Sequence, residues 1–266
     1  MDKSKCHEKH TDSRVPQLVH FFGPDGAGKS TQVEVLIRTL KHREPRIRKI
    51  WLRAPHTVAF LLSRALLKIG FYHIILNPFG DAIRLPAVNR NATIRAIWAL
   101  LEYISVLPLV IRIRFLMARG YKCIAERYIL DTVTTIAFFL GDIDFIRSKI
   151  ARMLYRFIPK DTRFIFLDSD YETIFGRRAC LHDAGTHRET NRGYGTIPRE
   201  AVEPREFIEF QRTAYICLAE SFGALTIDTS KHSVEDTGKA ILEYLNCANR
   251  FRDTHARRSF SGNPSE

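Results

Sequence analysis

The chain has 266 residues, 41 Lys+Arg against 29 Asp+Glu, and a formal net charge of +12. With 45% apolar and 26% charged residues it can bury a core, which excludes global disorder. Five cysteines without a C-x-x-C pair exclude a disulfide scaffold and a zinc ribbon, and point to reduced thiols in a cytoplasmic protein.

Residues 1–16 and 247–266 are polar and read as disordered tails, the first lacking the apolar core of a secretory signal. The span 17–246 reads as one domain. Within it the short apolar runs Leu18–Phe22, Ile47–Leu52, Lys122–Ala125, Arg163–Leu167 and Leu225–Ile227 read as strands. The first and fourth are apolar almost throughout, as strands covered on both faces are. Helical patterns lie between them, so the expected fold is α/β, a doubly wound parallel sheet with helices on both faces. Thr57–Leu76 and Ile94–Met117 are long, very apolar helix candidates, the first part of a helical insertion at about 57–90. Arg64, Lys68, Glu102, Arg112 and Arg114 break their charge-free length, which argues against a membrane span and for core and subunit-interface helices. Monolayer contact through the first segment is the minor reading. Asp168-Ser169-Asp170 precedes the helical pattern Tyr171–Arg178 and reads as a cap rather than a metal site.

The first strand runs into G-x-x-x-x-G-K-[ST], from Gly23 to Ser30, and a helix pattern follows. This spacing lets small residues wrap backbone N–H groups around a phosphate. Gly23, Asp25, Gly26, Ala27, Gly28, Lys29, Ser30 and Thr31 are therefore the expected nucleotide-binding residues. Lys29 is placed to reach the β- and γ-phosphates, and the Ser30 hydroxyl to ligate Mg²⁺. No N-K-x-D base-reading motif occurs, and no zinc-finger or homeodomain spacing. A nucleotide phosphate with Mg²⁺ is thus expected, the loop leaving the reaction open, and nucleic acid is not expected. The third strand of the sheet ends in Glu126-Arg127-Tyr128. At the carboxyl end of a parallel strand, Glu126 is expected on the metal side and Arg127 on an acceptor anion.

Asp25 inside the loop, Glu126-Arg127-Tyr128, Phe164–Asp168 followed by Arg177-Arg178, Glu209–Arg212 and Leu218–Ala224 together resemble thymidylate kinases over about residues 17–246. The resemblance implies ATP-dependent phosphorylation of a nucleoside monophosphate, dTMP first, by a protein that commonly pairs as a homodimer. It implies Asp25 between donor and acceptor, Arg127, Tyr128 and Arg53 on the acceptor, and a mobile arginine-bearing lid at about 177–199. Arg178 and Arg188 are the expected lid arginines at the transferred phosphate. Where the family carries Arg-Glu-Pro-Gly, this chain reads Arg53-Ala54-Pro55-His56. Ser105 and Val106 stand near the place of a helix arginine that reads thymine in the family. Two alternatives remain open at this point. One is a nucleoside kinase, which would want a carboxylate base near the second strand, where residues 51–80 hold none. The other is a P-loop protein outside nucleotide synthesis that uses its apolar insertion against a membrane or partner.

Overall fold

The computed structural model describes residues 15–52, 57–76, 82–183 and 203–246, with the side chains of 57–58 and 178–183 outside the description. Five strands form one parallel sheet: β1 (Leu18–Phe22), β2 (Ile47–Trp51), β5 (Lys122–Arg127), β6 (Thr162–Asp168) and β7 (Leu225–Asp228). Their order is β2-β5-β1-β6-β7. β1 sits at the centre, with Leu18 opposite both Cys123 and Thr162. Every residue of β1 is buried.

Strand residues alternate between faces, and the two layers of core follow that alternation. Leu18, Phe22, Ala125 and Phe166 pack into one cluster with α3 (Ala92–Ala118), α4 (Ile129–Leu140) and α7 (Arg205–Phe222). Val19, Phe21, Ile124 and Leu167 pack into the other, with α1 (Lys29–Leu40) and α8 (234–246). Each of the larger of these side chains contributes about 1.5–3 kcal/mol by leaving water. The expected doubly wound α/β sheet is what forms. Cys123 of β5 lies in the core, and burial pushes its thiol up to about 11.

The segment at 57–90 differs from the expected helical insertion. The helix α2 stops at Lys68 (Thr57–Lys68), and Gly70 turns the chain at φ 80°. Tyr72–Leu76 (β3) then pairs antiparallel with Ala82–Pro86 (β4). A strand pair thus takes the place of the last turns of the anticipated helix. The cause is local: Tyr72-His73-Ile74-Ile75 is aromatic and β-branched, and suits a strand better than a helix.

α3 is long and apolar enough to cross a membrane by length and composition, despite its charged residues. Trp98, Val106, Val110 and Met117 bury one of its sides against the domain. Ile97, Leu100, Ile104, Ile111 and Phe115 are exposed. At 3.6 residues per turn these five fall within an arc of about 60°. Two further helices are α5 (Lys149–Tyr155) and α6 (Tyr171–Asp183). As expected, the stretch 168–170 caps a helix: Asp170 accepts from the Thr173 N–H of α6 at 2.8 Å. The residues of both expected tails, save 15 and 16, lie outside the described residues.

Candidate functional site

Because the sheet is parallel, β1, β5, β6 and β7 all end on one edge. The loop after β1 and the charged ends of β5 and β6 meet there. Gly23, Gly26 and Gly28 take positive φ within six residues, at 144°, 100° and 83°. A side chain on Gly23 would run into the Leu167 carbonyl of β6, so the loop lies directly on the neighbouring strand. Gly28 stands at the N-cap of α1; no side chain caps that helix and no acid lies in its first turn. The positive end of α1 is thereby left to an anion. Lys29 folds back over the loop, its Nζ donating to the carbonyls of Gly23 (2.6 Å) and Pro24 (2.8 Å) and reaching Asp25 Oδ1 at 3.4 Å. Ser30 and Thr31 are exposed at the start of α1.

The two residues ending β5 point to opposite faces. Glu126 turns to α1, where the Ser30 hydroxyl donates to its Oε1 and Lys49 of β2 pairs with its Oε2 at 2.6 Å. A serine hydroxyl and a carboxylate in contact are two hard oxygen donors. That set suits Mg²⁺, which takes one or two protein oxygens and completes its shell with water and phosphate. No cluster of three or more His, Cys, Asp or Glu occurs among the described residues, so protein alone does not enclose a metal there.

Arg127 turns to the opposite face and is only 5% exposed. One nitrogen is in contact with Asp25 Oδ1, and another lies 3.7 Å from Asp131 Oδ1. Asp25, itself buried, thus joins Lys29 of the loop to Arg127 of β5. The expected site residues Gly23, Asp25, Gly26, Ala27, Gly28, Lys29, Ser30, Glu126 and Arg127 therefore come together. Tyr128 does not join them in the way anticipated. Its ring is completely buried, edge-on to His20 at 5.7 Å, so it is part of the core rather than of the cleft. Arg53 and Arg188 lie outside the described residues, as does the side chain of Arg178. So does most of the segment anticipated as a lid, of which only 177–183 is described, as the end of α6.

Three features escaped sequence reasoning. Arg177 donates to the Thr229 carbonyl at 2.6 Å and reaches the Gly26 carbonyl at 3.4 Å, tying α6 to the loop. Arg212 forks onto Asp168 at the end of β6, with both oxygens 2.8–3.1 Å from its nitrogens. Asp131, His20 and Tyr215 form a buried polar group behind Arg127. The legible signal for the last was a histidine inside an otherwise apolar, doubly covered strand, since such a residue must find a partner.

A glycine-rich loop thus follows the central strand of a five-stranded parallel sheet, and an acid and an arginine end the adjacent strand. Among solved structures the chain is similar to the thymidylate kinase of Candida albicans, with a TM-score of 0.51 and 16% identity. The match covers 88% of this chain and 92% of that one. No family model and no curated protein sequence matches the chain. The chain has the thymidylate-kinase-like fold.

Proposed function

We propose that the protein transfers a phosphoryl group from ATP to a nucleoside monophosphate, dTMP first. The observation that carries this reading is Arg127, a guanidinium held at the strand end between two carboxylates and facing the phosphate loop. A planar fork of that kind matches a phosphate. A neutral sugar hydroxyl would instead call for a carboxylate free to act as base. Glu126 is engaged by Ser30 and Lys49, and Asp25 by Lys29 and Arg127.

In this reading the loop amides and Lys29 take the donor phosphates. Lys29 exchanges its carbonyl partners for phosphate oxygens and neutralises charge on the transferred group. Ser30 and Glu126 would hold Mg²⁺, which would screen the phosphate charges. Arg127 leaves Asp25 for the acceptor phosphate and fixes it for in-line attack. The attacking oxygen is already anionic near neutral pH, so proton removal is not a requirement. Arg53, Arg178 and Arg188 are proposed to add positive charge at the acceptor and transferred groups. The chain pairs through the exposed apolar stripe of α3, which is of the kind that marks protein contact surfaces.

The test is a phosphoryl-transfer assay with Mg-ATP against dTMP, the other common monophosphates and thymidine. dTMP is expected to be used far better than thymidine. Equal use of thymidine would replace this reading with a nucleoside kinase.

A further inference from the structure

Behind Arg127 lies a carboxylate with more partners than its local duty needs. Asp131 is 1% exposed, on the first turn of α4. Its Oδ2 accepts the Tyr128 backbone N–H at 3.2 Å, which caps the helix. That duty alone could be met by a neutral oxygen, since at this third position of a helix glutamine closes the same capping box as glutamate. Asp131 also draws donors from two other elements. The Tyr215 hydroxyl of α7 donates to Oδ1 at 3.0 Å, and His20 Nε2 of β1 lies 3.3 Å from Oδ2. The same Oδ1 faces Arg127 at 3.7 Å.

Burying an ionised carboxylate is costly unless charge and hydrogen bonds compensate it. Burial pushes the Asp131 carboxyl up, but the His20 hydrogen bond and the Arg127 charge outweigh it and hold the group below the usual carboxylate range. The negative charge is therefore retained inside the core, and the cation it meets is Arg127. Arg127 in turn touches Asp25, which stands on the loop where phosphates are expected. Of the two carboxylates on Arg127, Asp25 belongs to the loop and Asp131 to the scaffold.

We infer that Asp131 is a positioning residue: backed by His20 and Tyr215, it fixes the inner edge of the Arg127 guanidinium, so that the outer edge can pass from Asp25 to an acceptor phosphate. The last clause rests on the acceptor reading above; the tie between Asp131 and Arg127 does not. Arg127 without this anchor keeps its charge but loses its direction. A misplacement of about 1 Å at such a site costs on the order of 100-fold in rate.

The test is a double-mutant cycle on the full chain with Asp131→Asn, Arg127→Ala and the double variant. Asparagine keeps the oxygen that caps α4 and removes the charge. Asp131→Asn is expected to lower kcat/KM for dTMP roughly 10- to 100-fold. KM for ATP should stay within about twofold, and the change should vanish in the Arg127→Ala background, because neighbours acting through one group are not additive. Equal losses in both backgrounds, or a parallel rise in KM for ATP, would overturn the inference and leave Asp131 a structural cap. Urea unfolding of the same four proteins is read alongside. If Arg127→Ala leaves dTMP use untouched, or the wild type does not use dTMP, the acceptor reading fails. The Asp131–Arg127 tie then stands if the unfolding midpoints are coupled and falls if they are additive. Should Asp131→Asn not fold, Tyr215→Phe withdraws one of the donors from Asp131 and takes its place in the cycle, where coupling to Arg127→Ala supports the inference and additivity overturns it.

Discussion

Replacing Gly23 by alanine separates two reasons why a phosphate loop needs glycine. Gly23 has φ 144°, and an added methyl would strike the Leu167 carbonyl. Gly28 has φ 83° and would meet nothing within 4 Å. Backbone strain of this kind costs about 1–3 kcal/mol. The collision adds about 1–3 kcal/mol at Gly23 alone, because β6 is held by β1 and β7 and its carbonyl cannot retreat. Gly23→Ala should therefore cost about 2–6 kcal/mol, and Gly28→Ala, at a position in the ordinary left-handed helical region, about 1–2 kcal/mol. For a domain of this size, with an unfolding slope of about 3 kcal/mol per molar urea, the midpoint should fall by roughly 1–2 M for Gly23→Ala and by roughly half a molar for Gly28→Ala. Equilibrium urea unfolding followed by circular dichroism measures both. A Gly23→Ala midpoint no lower than that of Gly28→Ala would refute the claim that the loop rests on β6.

Lys29→Ala should leave the fold cooperative and reduce turnover by roughly 10³-fold, and steady-state ATP consumption by the folded variant checks this. Arg127→Lys keeps the charge but cannot reproduce a fork between Asp25 and Asp131, so kcat/KM for dTMP should fall by at least about tenfold while thymidine use stays low. Sedimentation equilibrium at micromolar concentration should give a dimer that Ile104→Glu converts to monomer; a wild-type monomer would remove the pairing proposal. Asp228 accepts the Ser230 hydroxyl and pairs with Lys231, which together lower its carboxyl to about 2 against partial burial. Its folded value lies below its unfolded one, so the stability it contributes is fully present above pH ~4 and is lost as pH falls through ~2. Thermal unfolding from pH 5 to 2 should accordingly show a smaller acid loss for Asp228→Asn than for the wild type.

The strands were legible because the five apolar runs are short, bounded and separated by helical periods; Leu18–Phe22 matches β1 residue for residue. The phosphate loop was legible because its chemistry fixes both spacing and residue type. The hairpin was not, because Tyr72–Leu76 continues the apolar run of the preceding helix and is too short to show a period of its own. Gly70 and the turn-forming Asn77-Pro78-Phe79-Gly80-Asp81 were the available signals. The Asp131 group escaped for another reason. Its members come from β1, α4 and α7, and only the packing of those elements reveals that His20, Asp131 and Tyr215 share one space. Tyr128 was misplaced because adjacency to Arg127 in the chain says nothing about which face a residue takes at the first turn of a helix.

The central place of β1 has a consequence for how the chain is made. Leu18 must wait for Cys123 and then for Thr162 before either edge of its strand is paired. Until then LVHFF, with its row of open amides and carbonyls, is an early-synthesised apolar segment without its sheet. Contacts this distant in sequence make folding slow, since long loops must close before any pairing rewards them. During synthesis the strand emerges well over a hundred residues before its second neighbour, at a pace of about 5–20 residues per second. Among the strands of the sheet, the one that leads into the glycine-rich loop is thus the one whose pairing spans the greatest length of chain.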